Sequence, residues 1–172
     1  MTIFTIGHST RTLDDLIGLL RAHGVEQVAD VRTIPRSRRN PQFNRDNLAA
    51  ELPRQGIGYR HLPALGGLRH PRADSPNTAW RNDSFRGYAD YMSTDAFEAG
   101  LDDLLECARA RPTAVMCAEA VWWRCHRSLL ADALVARGID VGHITSAREA
   151  RPHQLNPLAR QREGRICYPG LC

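Results

Sequence analysis

The sequence contains no lysine; all 23 of its basic residues are arginine. A compositional bias toward Arg and Ala accounts for much of this. Arginine is also the side chain suited to planar, bidentate capture of phosphate or carboxylate. No Cys-x-x-Cys pair occurs, so neither a thioredoxin-like motif nor a zinc ribbon is supported. There is no Walker loop and no G-x-G-x-x-G, which disfavours a standard ATPase or dinucleotide enzyme, and no cofactor is expected. No apolar run approaches a membrane span, and Met1-Thr2-Ile3-Phe4 is not a basic leader before an apolar stretch. The expectation is a cytoplasmic protein with no membrane partner. The five cysteines, Cys107, Cys117, Cys125, Cys167 and Cys172, are odd in number. They read as reduced thiols, not as a disulfide framework.

What is present suits one folded domain. A chain of 172 residues that is 42% hydrophobic can bury a core without staples. The net charge of +4 is unevenly placed. Arg32, Arg36, Arg38, Arg39 and Arg45 fall in one stretch with no acid among them. The segment carrying Asp95, Glu98, Asp102, Asp103 and Glu106 is acidic. Uniform codon bias does not explain such clustering.

Thr2 to Ile6 reads as a strand, closed by Gly7-His8-Ser9-Thr10. Leu13, Leu16, Ile17 and Leu20 then repeat at helical spacing behind Thr12, with Asp15 placed as in a capping box. The grammar recurs: a strand from Val25 to Val31, a basic loop, and a helix carrying Leu48 and Leu52. Ile57 to His61 makes a third strand, followed by a Gly- and Pro-rich loop and one helical stretch to Arg111. Thr113 to Cys117 reads as a buried strand, Cys125 to Arg137 as a helix, and Ile139 to Ile144 as a further strand. The junctions at Gly24, Gly56 and Gly138 look like repeated helix-to-strand turns. This alternation predicts an α/β fold: a single doubly wound, mostly parallel, Rossmann-like three-layer sheet. The domain is expected over 1–146, with a Pro- and Arg-rich C-terminal arm over 147–172. Arg165 to Tyr168 in that arm is a candidate edge strand.

Ligands of open parallel sheets bind outside the carboxyl ends of the strands. Those ends carry His8 and Ser9, Asp30 and Arg32, Tyr59 and His61, Cys117 and Glu119, and His143, Thr145 and Ser146. The densest group is Cys117 and Glu119 followed by Cys125, His126 and Arg127. Cys125 and His126 fall near a helix N-terminus, where free N–H groups and the helix dipole attract anions and favour a thiolate. Arg127 adds a bidentate donor. The candidate catalytic residues are Glu119, His126 and Cys125. The candidate ligand-binding residues are His8, Ser9, Asp30, Arg32, Arg36, Ser37, His61, Gly66, Gly67, Cys117 and Arg127. Plainer readings stand beside these. Asp30 and Arg32 make a structural ion pair that orders the basic loop, Gly66-Gly67 a tight turn, and Cys117 a buried strand residue. Cys125, at a helix start, is expected to be exposed. Cys107 reads as packing. Trp122 and Trp123 are pocket walls, a cover for the sheet edge, or a contact with a second subunit, which leaves a homodimer open.

The set Thr5-Ile6-Gly7-His8-Ser9, Asp30-Val31-Arg32, Pro35 with Ser37, Phe43, His61 to Gly67, and Cys117-x-Glu119 with Cys125-His126-Arg127 resembles the domain-of-unknown-function 488 family. The likeness runs from the first strand to about Ser146. It implies an α/β fold and this motif set and supplies no established reaction, although some members carry a DNA-repair label. Between Glu119 and Cys125 family members often have charged or proline residues. Here the insert is Ala-Val-Trp-Trp-Arg, so contacts made there differ.

Three functional classes follow. The first is an enzyme with an anion-binding pocket at the carboxyl edge of the sheet, acting on a phosphate-bearing small molecule such as a nucleotide, or on a nucleic-acid end. The second is a thiol-dependent or metal-binding protein using Cys117, Cys125 and His126. The third is a non-catalytic nucleic-acid-binding module built on the arginine loop, the tail and the tryptophans.

Overall fold

In the computed structural model, which describes residues 1–170, strands and helices alternate much as the periodicity predicts. The β-branched and aromatic run Thr2–Gly7 forms β1. Leu13–Ala22 forms α1, whose Leu16, Ile17 and Leu20 are buried. The Thr12 hydroxyl accepts from the backbone N–H of Asp15 at 3.0 Å, the forward half of the capping box. β2 (Gln27–Asp30), α2 (Arg45–Arg54) and β3 (Gly58–His61) follow. At Gly24, Gly56 and Gly138 φ is +68°, +77° and +78°, the left-handed conformation that ends a helix at little steric cost for glycine.

The helical stretch before Arg111 is two helices, α3 (Asp83–Tyr91) and α4 (Asp95–Ala110). Thr94 is the reason: its hydroxyl caps a new helix by accepting from the Phe97 N–H at 3.2 Å. β4 (Thr113–Cys117), α5 (Arg127–Ala136) and β5 (Asp140–Ile144) complete the alternation. The chain then adds β6 (Ala150–Pro152), a strand the sequence did not announce.

The strands make one six-stranded sheet in the order β3-β2-β4-β1-β5-β6. Every pairing is parallel except that of β6, which runs antiparallel on β5. One face buries Ile6, Val28, Ala114 and Met116 against Leu16 and Leu20 of α1 and Leu48 and Leu52 of α2. The other buries Ile3, Ala29, Val115 and Val141 against side chains of α3, α4 and α5. Each fully buried aliphatic side chain contributes roughly 1.5–3 kcal/mol. Arg165 to Tyr168 does not extend this sheet. β7 (Arg160–Arg162) and β8 (Arg165–Cys167) pair with each other as a separate antiparallel hairpin. The hairpin packs Ile166 and Tyr168 onto the core beside α5, so its strands are held by their own turn and by that burial. Cys172 lies outside the described residues.

The strand order positions the site. From β1 the chain crosses through α1 toward the β2–β3 edge, whereas from β4 it crosses through α5 toward the opposite, β5 edge. β1 and β4 are neighbours, so the connections leaving their carboxyl ends part in opposite directions and leave a crevice outside the sheet edge.

Candidate active site

That crevice opens into a cavity of about 670 Å³, within the range of small-molecule sites. Its wall is built from the end of β1 (His8, Ser9), the loop after β2 (Arg32, Arg36, Ser37), the turn at Gly67, the end of β4 (Cys117, Glu119) and the entry to α5 (Cys125, His126). The sequence reading did not single out Thr33, Leu68, Phe85 and Arg124, which also line it. Arg124 was visible in the insert before Cys125. Leu68, in a loop, and Phe85, in the first turn of α3, carried no signal of their own.

Cys125 stands at the centre of the polar groups. Its Sγ is 2.8 Å from Cys117 Sγ and 3.5 Å from His126 Nδ1. The hydrogen bond from Cys117, then the His126 ring, hold the Cys125 thiol well below the ordinary thiol range, against the opposing effect of burial. The backbone of Arg127, in the first turn of α5, adds a further lowering influence on the Cys125 pKa. Burial and the same partnership push Cys117 well above that range, so Cys117 keeps its proton and donates toward Cys125. His126 is oriented by its other nitrogen: Nε2 donates to Val31 O at 3.0 Å, leaving Nδ1 to take the Cys125 proton. Gly67 gives that ring its space, since a Cβ there would lie 2.8 Å from His126 Nδ1. Cys125 is not exposed as expected; it is 8% accessible, because it belongs to the hydrophobic core on the α3, α4 and α5 side of the sheet.

A second set of bonds braces the wall. Asp30 and Arg32 form a buried bidentate pair, Nε to Oδ1 at 2.9 Å and Nη2 to Oδ2 at 2.7 Å. Tyr59 OH donates to Asp30 Oδ2 at 2.5 Å, and Arg32 Nη2 also donates to Phe43 O at 2.7 Å. The remaining guanidinium nitrogen, Nη1, lies 3.3 Å from His8 Nε2. With Nδ1 donating to Ser9 O at 2.9 Å, Nε2 of His8 is the acceptor. Burial, reinforced by the Arg32 charge, lowers the His8 pKa. His8 also stacks on Phe43 with centroids 4.4 Å apart. Ser9 follows with φ of 50°, a strained conformation for a residue with a side chain.

Of the expected ligand-binding residues, Asp30, His61, Gly66 and Arg127 do not reach the cavity wall. Asp30 is consumed by Arg32 and Tyr59. His61 Nε2 bonds to Arg32 O at 2.7 Å. Gly66 packs against Thr33, whose buried Oγ1 has no partner among the described residues. Arg127 is 2% accessible and donates through Nη2 to the carbonyls of Glu119 and Ala120 at 3.0 and 3.1 Å, pinning the loop after β4. The free positive charge at the cavity is therefore Arg36 and Arg124, both exposed and in no ion pair among the described residues. Among the described residues, Glu119 is the one carboxylate on the wall. No group of three or more His, Cys, Asp or Glu side chains among the described residues is placed to hold a metal ion. No helix among them is long and apolar enough to cross a membrane.

Fold and cavity together define an α/β protein with a mostly parallel sheet and a thiol-bearing cavity where the chain changes direction. Residues 12–134 match the family described as a domain of unknown function, DUF488, and the chain belongs to that family. No curated protein and no solved structure matches it.

Proposed function

We propose that this protein is a thiol-dependent enzyme that takes a small anionic ligand, with Cys125 as its nucleophile. The observation that carries the reading is the placement of Cys125 Sγ between a thiol donor at 2.8 Å and an imidazole nitrogen at 3.5 Å, on the wall of a cavity. Such a thiolate attacks an electrophilic atom, and the leaving group departs with the proton that His126 took from Cys125. Glu119 is the carboxylate available to activate the water that releases the adduct. Arg36 and Arg124 attract the anionic part of the ligand. Ser37 and the backbone around Gly67 supply uncharged contacts. A Rossmann-like, three-layer arrangement suits this reading, because such folds bind ligands outside the carboxyl ends of the strands, where the connections from neighbouring strands part. A phosphate-bearing small molecule fits better than a nucleic-acid strand, since Cys125 is only 8% accessible and lines a cavity of small-molecule size. Five cysteines, an odd number, suit reduced thiols and a reducing compartment.

Two alkylating agents that differ only in charge provide the test. Cys125 is expected to react with iodoacetamide far faster than Cys167, as read by peptide mapping. Its rate should hold at pH 6, where an ordinary thiol is only roughly 0.3% thiolate. Iodoacetate should outpace iodoacetamide at Cys125, the reverse of its behaviour at a neutral surface thiol. Equal, slow labelling of Cys125 and Cys167 overturns the nucleophile. A preference for iodoacetamide overturns the anion-attracting pocket.

A further inference from the structure

A nucleophile of this kind needs one thiol, yet the cavity holds two. Cys117 ends β4 and Cys125 precedes α5, and the loop between them returns so that their Sγ atoms meet at 2.8 Å. Both line the cavity. Closing them to the ~2.05 Å of a disulfide requires a movement of less than about 1 Å. Arg127 lies beneath the pair, buried, with Nε and Nη1 unpartnered among the described residues. Its charge favours a thiolate at Cys117. We infer that Cys117 and Cys125 form a redox-active dithiol that reduces low-molecular-weight anionic disulfides by thiol–disulfide exchange. This rests on Cys125 being the nucleophile of the cavity.

The exchange balances within the residues present. Cys125 thiolate attacks one sulfur of R–S–S–R. The Cys125–S–R bond forms, the R–S–S–R bond breaks, and the first thiolate leaves with the proton held by His126. Cys117 then attacks Cys125 Sγ. The Cys117–Cys125 bond forms, and the second thiolate leaves with the proton Cys117 gives up. The protein loses two electrons and two protons, and the disulfide gains both and departs as two thiols. Arg36 and Arg124 favour disulfides that carry carboxylates, and buried Arg127 stabilises Cys117 as it becomes the attacking thiolate.

The full chain is treated with glutathione disulfide, quenched in acid at intervals, and read by intact mass and peptide mapping. The wild-type protein is expected to pass through a transient Cys125–glutathione adduct to a Cys117–Cys125 disulfide, releasing both halves of the reagent as thiol. Cys117→Ser is expected to stop at the adduct. The wild-type time course carries the test even if that variant folds poorly. A wild-type adduct that persists, or a disulfide to Cys107 or Cys167, overturns the inference. If iodoacetamide labels Cys125 quickly while glutathione disulfide leaves it untouched, the dithiol activity falls and the nucleophile stands. If neither reagent reaches Cys125, both readings fall.

Discussion

Two histidine clusters border α5, and they differ in how their valences are spent. In the cavity, Cys125 and His126 face open space, and Arg36 and Arg124 have no acidic partner among the described residues. On the β5 side, Thr5, His143, His153, Asp132 and Tyr168 form a closed chain. Thr5 Oγ1 lies 2.5 Å from His143 Nδ1, and His143 Nε2 lies 2.8 Å from His153 Nδ1. His153 Nε2 meets Asp132 Oδ1 at 2.7 Å, and Tyr168 OH donates to Asp132 Oδ2 at 2.6 Å. Trp122 seals the end by stacking on His143, centroids 4.6 Å apart and planes 9° apart. Every ring nitrogen there has a partner and none faces the cavity. A histidine–aspartate chain resembles catalytic machinery, but one whose bonds are all internal holds the C-terminal segment onto α5. The cluster with unspent groups is the one to which we assign the proposed chemistry.

The largest effect should come from opening the closed cluster. Asp132→Ala leaves His153, Tyr168 and the Asn156 N–H without their acceptor in a buried place. Unsatisfied buried groups cost about 1–3 kcal/mol each, so a loss of roughly 3 kcal/mol or more is expected in urea denaturation. Cys125→Ala, at the cavity wall, should lose much less. Similar losses for the two variants would erase the distinction between bracing and working groups.

Acid should strain the closed cluster as well. Burial first, then the charges of His153 and Arg127, lower the His143 pKa from 6.5 to about 3. Between those values the unfolded chain binds the proton and the folded one does not. Stability is therefore complete above pH 6.5 and falls as the pH drops toward 3, with a slope of up to about 1.4 kcal/mol per pH unit. His143→Gln should flatten that limb in denaturation curves across pH. A residual slope should remain from His8, whose pKa is shifted the same way. An unchanged limb in the variant would show that His143 is not the group resisting protonation.

In the open cluster, Gly67→Ala places a Cβ against His126 Nδ1 and turns the ring away from Cys125. Crowding of this kind costs about 1–3 kcal/mol. Alkylation of Cys125 at pH 6 should slow by about tenfold, the equivalent of about 1.4 kcal/mol. A variant that labels as fast as the wild type would remove His126 from the activation of the thiol.

The sequence discloses the open cluster better than the closed one, for a physical reason. A strand end is a local signal: hydrophobic alternation stops, and the next polar residues stand at the carboxyl edge. That rule named His8, Arg32, Cys117 and Glu119, which line the cavity, but equally Asp30, Tyr59, His61, His143, Thr145 and Ser146, which do not. Asp132, His153 and Tyr168 meet only through tertiary packing, since they sit in a helix, a tail loop and the residue after a hairpin strand. Nothing in their spacing foretells it. The same limit explains Arg127, which reads as a ligand donor next to His126 yet turns inward to two carbonyls. The break between α3 and α4 was within reach, because Ser93-Thr94-Asp95 is a capping sequence inside a helical run. β6 was not, because Ala150–Pro152 has no strand periodicity and exists through its pairing with β5.

The smallest change in stability should accompany the clearest change in ligand preference. Arg36 and Arg124 are exposed and bond to no carboxylate among the described residues, so replacing each with Ala should shift stability by no more than about 0.5 kcal/mol. Their role, if they are the unspent charges of the open cluster, is to draw anions toward Cys125. The advantage of iodoacetate over iodoacetamide should then shrink in each single variant and vanish in the double one, while the iodoacetamide rate stays constant. Salt should reproduce the effect in the wild type, because screening acts over ~10 Å at 0.1 M and ~3 Å at 1 M. Arg38→Ala and Arg39→Ala, in the same basic loop but off the cavity wall, should change the ratio little. If those two matter as much as Arg36 and Arg124, the attraction belongs to the loop as a whole, and the open cluster has no anion site of its own.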